Sequence, residues 1–199
     1  MGFTDNVKEI AKTAKETISA ALPLGRDELD IRNVLRRDHE LVARLLHSMV
    51  ERAANKDPAV LDLADELRAE LLLHTKSEEQ VLYEACKRHG KDLREFAQEG
   101  YREHECIEHL LNRMVTEQPG RDGELKATVC VLKEIVDHHV REEEGDLFPK
   151  LASEFSDDQL AQMGKRMESL KERIDIEAFP ADKVFDDVDA EARKRSRHH

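Results

Sequence analysis

Shifting the chain by 65 residues lays "RRDHELVARLLHSMV" (36–50) over "YREHECIEHLLNRMV" (101–115), with His39 on His104, Leu45–Leu46 on Leu110–Leu111 and Met49–Val50 on Met114–Val115. The same shift lays "HTKSEEQVLYEACK" (74–87) over "HVREEEGDLFPKLA" (139–152), matching His74 to His139, Glu78–Glu79 to Glu143–Glu144 and Leu82–Tyr83 to Leu147–Phe148. One ungapped offset serves both blocks, so the central part of the chain is two copies of a single helical hairpin. Such a chain has few folds open to it. Two like hairpins bury their apolar stripes against each other as an all-α, up-down-up-down four-helix bundle.

Punctuation by Pro and Gly supports this division. Apolar residues at spacings of three and four (Val7, Ile10, Ala14, Ile18, Ala21) predict an amphipathic helix over 3–22, ended by Pro23 and Gly25, so residues 1–28 form an N-terminal helix and linker. The bundle is expected over 29–152, with "NKDP" (55–58), His89–Gly90 and "EQPGRDG" (117–123) as its connections. "SDDQ" (156–159) reads as the cap of an extra C-terminal helix within 153–177, with Leu160, Met163, Met167 and Leu170 on one face. The polar stretch 178–199 is expected to be disordered.

The turns also set the height of the histidines. In an antiparallel hairpin, two residues equally far from the turn stand level. His39 and His74 flank a midpoint at Lys56–Asp57, His104 and His139 flank Arg121–Asp122, and His74 and His104 flank His89. All four therefore arrive at one level of the bundle. His74 and His139 are each followed at i+4 by a glutamate, Glu78 and Glu143, on the same helix face. Four imidazoles and two carboxylates converging in a core would be costly as unpaired polar groups, and a metal removes the cost. A nitrogen and oxygen set without thiolate favours iron or manganese over structural zinc.

These segments, "RRDHELVARLL", "HTKSEEQVLY", "REHECIEHLL" and "HHVREEEGDLFPKL", resemble the four signature segments of the haemerythrin-like, or HHE cation-binding, family across about 30–152. The resemblance implies two non-haem iron ions, iron before manganese, joined by an oxo or hydroxo bridge. It makes His39, His74, His104 and His139 terminal ligands and Glu78 and Glu143 bridging carboxylates. Ferritin-like bundles are the nearest competitor, but their motif is Glu-x-x-His.

The chain departs from the oxygen-carrying members, which resemble it but place a second histidine four residues after the one on the third bundle helix. Glu108 stands there, a candidate additional ligand or outer partner. Tyr101, three residues before His104, is a candidate hydrogen-bond donor or ligand, against the plainer reading of a packed tyrosine. Asp38, Glu79, Glu103 and Glu144 are expected as outer partners of the imidazoles or as solvated carboxylates, and Tyr83 and Phe148 as core residues shielding the site.

The functional expectation is a protein that reacts with hydrogen peroxide or O2, including catalase-like peroxide decomposition. Its rival is an iron- or O2-sensing module without turnover, whose flanking helices dock a protein partner or a second copy. A formal net charge of −12 argues against nucleic acid, whose backbone calls for clustered Lys and Arg. The one basic run, Arg193–Arg197, lies in the tail. No apolar stretch approaches a membrane span, and Cys86, Cys106 and Cys130 read as reduced thiols of a cytoplasmic protein.

Overall fold

The computed structural model describes residues 29–116 and 123–179. The expected helix over 3–22, most of the "EQPGRDG" connection and residues 180–199 lie outside the described residues. Within them the chain is helical and holds no strand.

Helix α1 (Ile31–Ala54) starts at Asp30, whose side chain accepts a hydrogen bond from the Arg32 amide at 2.9 Å, supplying a partner that the first turn lacks. Asn55 ends it, Lys56 takes a positive φ of 54°, and Asp57 caps the next turn by accepting from the Ala59 amide at 3.0 Å. Helix α2 (Val60–Glu78) runs back, passes through a π-helical turn (Glu79–Tyr83) and continues as α3 (Glu84–Arg88). Helix α4 (Lys91–Thr116) leads to α5 (Glu124–Glu142), which passes through a second π-helical turn (Glu143–Leu147) into α6 (Phe148–Glu154). Helix α7 (Asp157–Lys171) follows, then a 3-10 turn, Ile176–Ala178.

Helix α1 packs on α2 and α5, and α4 packs on α5 and α2, closing the four-membered ring of an up-down-up-down bundle. The apolar interior is divided. One cluster, including Leu46, Met49, Leu67, Leu111, Met114, Val129 and Leu132, fills the end nearest the two hairpin connections. The other, including Ile31, Leu35, Leu82, Tyr83, Phe148 and Leu151, fills the opposite end. Burying each such side chain contributes about 1.5–3 kcal/mol. A polar layer lies between these two plugs.

Helix α7 covers α1 and α2 from outside. Ser156 caps it with the reciprocal Gln159 contact that "SDDQ" predicts, and Leu160 and Met167 are buried, with Met163 and Leu170 partly so. Gly164 permits the close approach: a Cβ there would collide with the Leu29 carbonyl oxygen and stand 2.9 Å from its carbon. Beyond the helix, the Phe179 carbonyl accepts from Arg68, so Ala178 and Phe179, expected at the head of the tail, lie against α2.

Candidate metal centre

Between the two apolar plugs the four histidines meet. His39 (α1), His74 (α2), His104 (α4) and His139 (α5) are buried, and Glu78 and Glu143 are fully so. The imidazoles pair by hairpin, with ring centroids 5.2 Å apart for His39 and His74 and 4.9 Å apart for His104 and His139.

Every imidazole points Nε2 inward. His39 Nε2 stands 3.1 Å from Glu143 Oε2, and His74 Nε2 3.6 Å from Glu78 Oε2. His104 Nε2 stands 3.4 Å from Glu78 Oε2, and His139 Nε2 3.7 Å from Glu143 Oε2. Every Nδ1 faces an outer carboxylate: Glu144 for His39 (2.7 Å), Asp38 for His74 (3.2 Å), Glu79 for His104 (3.1 Å) and Glu103 for His139 (2.8 Å). These four contacts obey the repeat, since Asp38 corresponds to Glu103 and Glu79 to Glu144. A carboxylate on Nδ1 fixes the tautomer and orients Nε2 toward whatever the centre holds. The four acids left open between an outer role and solvation thus each hold one imidazole.

The π-helical turns follow Glu78 and include Glu143. Each inserts one residue per turn, so Val81, Leu82 and Tyr83 are buried in succession where a plain α-helix would expose one of them. The second turn also sits just before Pro149, whose missing amide would otherwise interrupt a helix interior.

The interior of the cluster is not satisfied by the protein itself. His39 Nε2, both oxygens of Glu78 and Glu143 Oε2 are buried without a hydrogen bond. Burial pushes Glu78 well above the ordinary carboxylate range, and neighbouring Glu143 acts in the same direction. Burial would also raise Glu143, but His139 and His39 hold it well below that range. The two carboxylates are thus driven in opposite directions, Glu78 toward its neutral form and Glu143 toward its charged one. Burial lowers His74 to about 4, leaving it neutral, as a ligating imidazole must be. Asp38 is half-buried, which would raise it, yet Lys171 of α7 and His74 bring it down to about 2. The Lys171 ammonium donates directly to the Asp38 carboxylate.

Ligand atoms of His74, Glu78, His139 and Glu143 lie within 4.8 Å of one another, close enough for metal binding. Orphaned oxygens facing inward nitrogens are what a metal would satisfy, so the donor set fits the group the fold implies.

Two other residues singled out in the sequence lie elsewhere. Glu108 meets Lys76 at 2.8 Å, and the Tyr101 hydroxyl donates to the Glu79 carbonyl and accepts from Lys87 at 2.9 Å. The tyrosine that reaches the centre is Tyr83. Its Oη lies 3.3 Å from His104 Nε2 and 3.4 Å from Glu143 Oε1, and its ring stacks on His104 with centroids 5.2 Å apart. Burial raises its hydroxyl well above the usual phenol range, with Glu78 acting in the same direction. A sequence signal existed: the repeat pairs Tyr83 with Phe148, which stacks on His39 as Tyr83 does on His104.

Comparison with known proteins agrees with this geometry. The hemerythrin HHE cation binding domain matches residues 30–151, and the chain belongs to that family. Over 180 residues it is 27% identical to a protein named DNA nickase from Nostoc sp. (strain PCC 7120 / SAG 25.82 / UTEX 2576), covering 87% of this chain. The chain spans about half the length of that relative, 48%. No solved structure matches at a significant level. Among the described residues, no helix is long and apolar enough to cross a membrane.

Proposed function

We propose that this chain is a cytoplasmic non-haem di-iron protein that reacts with hydrogen peroxide or O2. His39 and His74 would hold one ion, His104 and His139 the other, with Glu78 and Glu143 shared between them. The observation that carries this reading is the inward convergence of four Nε2 atoms on two buried carboxylates, three of whose four oxygens lack a hydrogen-bond partner. The ions, when bound, supply Lewis acidity and redox capacity. The chain's own part is to exclude bulk water with the two apolar plugs and to hold each imidazole through its outer acid. It also brings Glu78 and Glu143 together as the two carboxylates that metal entry would leave ionised.

The test is a visible spectrum of protein expressed with iron, followed by steady-state peroxide consumption. Oxo-bridged ferric bands with sustained turnover support the reading, whereas iron without turnover points to the sensing alternative. That alternative draws on the contact between Lys171 of α7 and Asp38, through which a flanking helix touches an outer partner of the centre.

A second reading follows from the relative's name. Paired metals also serve phosphodiester hydrolysis by activating water and steadying the leaving oxygen. Against it stands the net charge of −12. Nicking of supercoiled plasmid by the iron- or manganese-loaded protein, abolished by chelator and by Glu78→Gln, would establish it.

A further inference from the structure

We infer that Tyr83 is an inner oxygen donor to the metal position framed by His104 and His139, and that its counterpart position has none. The inference rests on the di-metal reading above and extends it to a residue outside the His/Glu set. Three observations carry it.

The first is spacing. Donors on neighbouring corners of one ion, each about 2.1 Å from it, stand about 3 Å apart. His104 Nε2 and His139 Nε2 are 3.3 Å apart, Tyr83 Oη is 3.3 Å from the former, and Glu143 Oε1 is 3.4 Å from Tyr83 Oη. Glu78 Oε2 closes the group at 3.4 Å from His104 Nε2. The phenol oxygen thus stands at the spacing that a further donor to an ion held by these imidazoles would need.

The second is space made on another helix. A Cβ on Gly100 of α4 would collide with the Tyr83 hydroxyl and come within 2.6 Å of Cζ. The repeat places Leu35 opposite Gly100, and Leu35 is fully buried. The half with the tyrosine has the glycine that admits its hydroxyl, and the half with Phe148 has a leucine filling the equivalent place.

The third is what the other candidate does. Glu108, four residues beyond His104, is engaged by Lys76 at 2.8 Å. The extra donor for this half comes from α2 and its π-helical turn, which rotates Tyr83 inward.

Coordination replaces the phenol O–H bond with a metal–oxygen bond. The proton leaves to buffer, and no electron moves in the step. Its signature in the air-oxidised iron protein is a phenolate-to-ferric charge-transfer band, with phenolate ring modes in resonance Raman spectra excited within it. The chain has only two tyrosines, so the source can be assigned. Wild type and Tyr101→Phe are expected to show the band at equal intensity, and Tyr83→Phe to lose at least nine-tenths of it while keeping two irons per chain. If Tyr83→Phe does not fold, the wild-type Raman spectrum and the Tyr101→Phe control carry the test alone. Two irons without phenolate modes, or a band that disappears with Tyr101, overturns the inference and leaves the di-iron reading standing. Wild type that takes up no iron overturns both.

Discussion

The two halves of the centre come from one sequence pattern and differ where the pattern breaks. In one half, His39 and His74 are oriented by Glu144 and Asp38, roofed by Phe148, and buttressed from α7 by Lys171. In the other, His104 and His139 are oriented by Glu79 and Glu103, with the Tyr83 hydroxyl turned among them. The shared parts, imidazole plus outer acid plus buried glutamate, are what holding a cation demands. The unshared parts decide how the two positions differ. A repeat therefore supplies the container, and its departures from symmetry supply the chemical bias.

The largest expected effect concerns what both halves share. Two ions, each present at a hundredfold excess over its Kd, stabilise the fold by about 5 kcal/mol, roughly 10–20 °C in Tm. Glu78→Gln should remove that iron-dependent rise in a thermal scan while changing the metal-free stability by less than about 1 kcal/mol, because burial disfavours the charged form of Glu78 and the amide is neutral. A metal-free protein that loses several kcal/mol with this substitution would mean the carboxylate serves the fold instead.

Next comes the contrast itself. His39→Ala leaves its half with His74 as the only unshared donor, whereas His104→Ala leaves His139 and Tyr83. Iron content should fall to about one per chain in the first and stay nearer two in the second. Equal losses would mean that the two metal positions are equivalent. Replacing the outer acids, Asp38→Asn or Glu103→Gln, should weaken metal binding about 10–100-fold each, measured by competition with a chelator.

Lys171→Met tests the buttress that only one half has. Removing the partner of a half-buried carboxylate should cost about 1–2 kcal/mol in denaturant unfolding, between the values for exposed and fully buried pairs. The sign with pH follows from Asp38, held at about 2 by Lys171 and His74. A depressed carboxyl contributes stability present above its unfolded value of about 3.8 and lost as pH falls toward 2. The wild-type advantage over Lys171→Met should accordingly shrink only below about pH 4. Smallest is Glu108→Ala, which breaks a half-exposed pair with Lys76 and should cost about 1 kcal/mol or less without changing iron content.

The bundle and its histidines were legible because period, turn position and repeat offset are all properties of the linear chain. His39, His74, His104 and His139 stand level because their turns lie midway between them, and the structure brings them together accordingly. The inward turn of Tyr83 was not legible in the same way. It depends on one extra residue in a helical turn, which leaves no periodic trace across "EEQVLY", and on Gly100, which lies on another helix. Tyr101 looked the better candidate because it shares a helix with His104 at close spacing, but its hydroxyl is drawn outward by Lys87 and the Glu79 carbonyl. The hold of Lys171 on Asp38 spans 133 residues and depends on how α7 docks, which amphipathic spacing alone does not specify.

Metal content decides the matter. Protein purified from iron-supplemented cells should carry about two irons per chain by elemental analysis, and Glu78→Gln combined with Glu143→Gln should carry almost none while keeping its helical circular dichroism. Wild type that folds fully yet binds no iron or manganese, or a double variant that binds as much as wild type, would contradict the reading of this buried cluster as a metal centre.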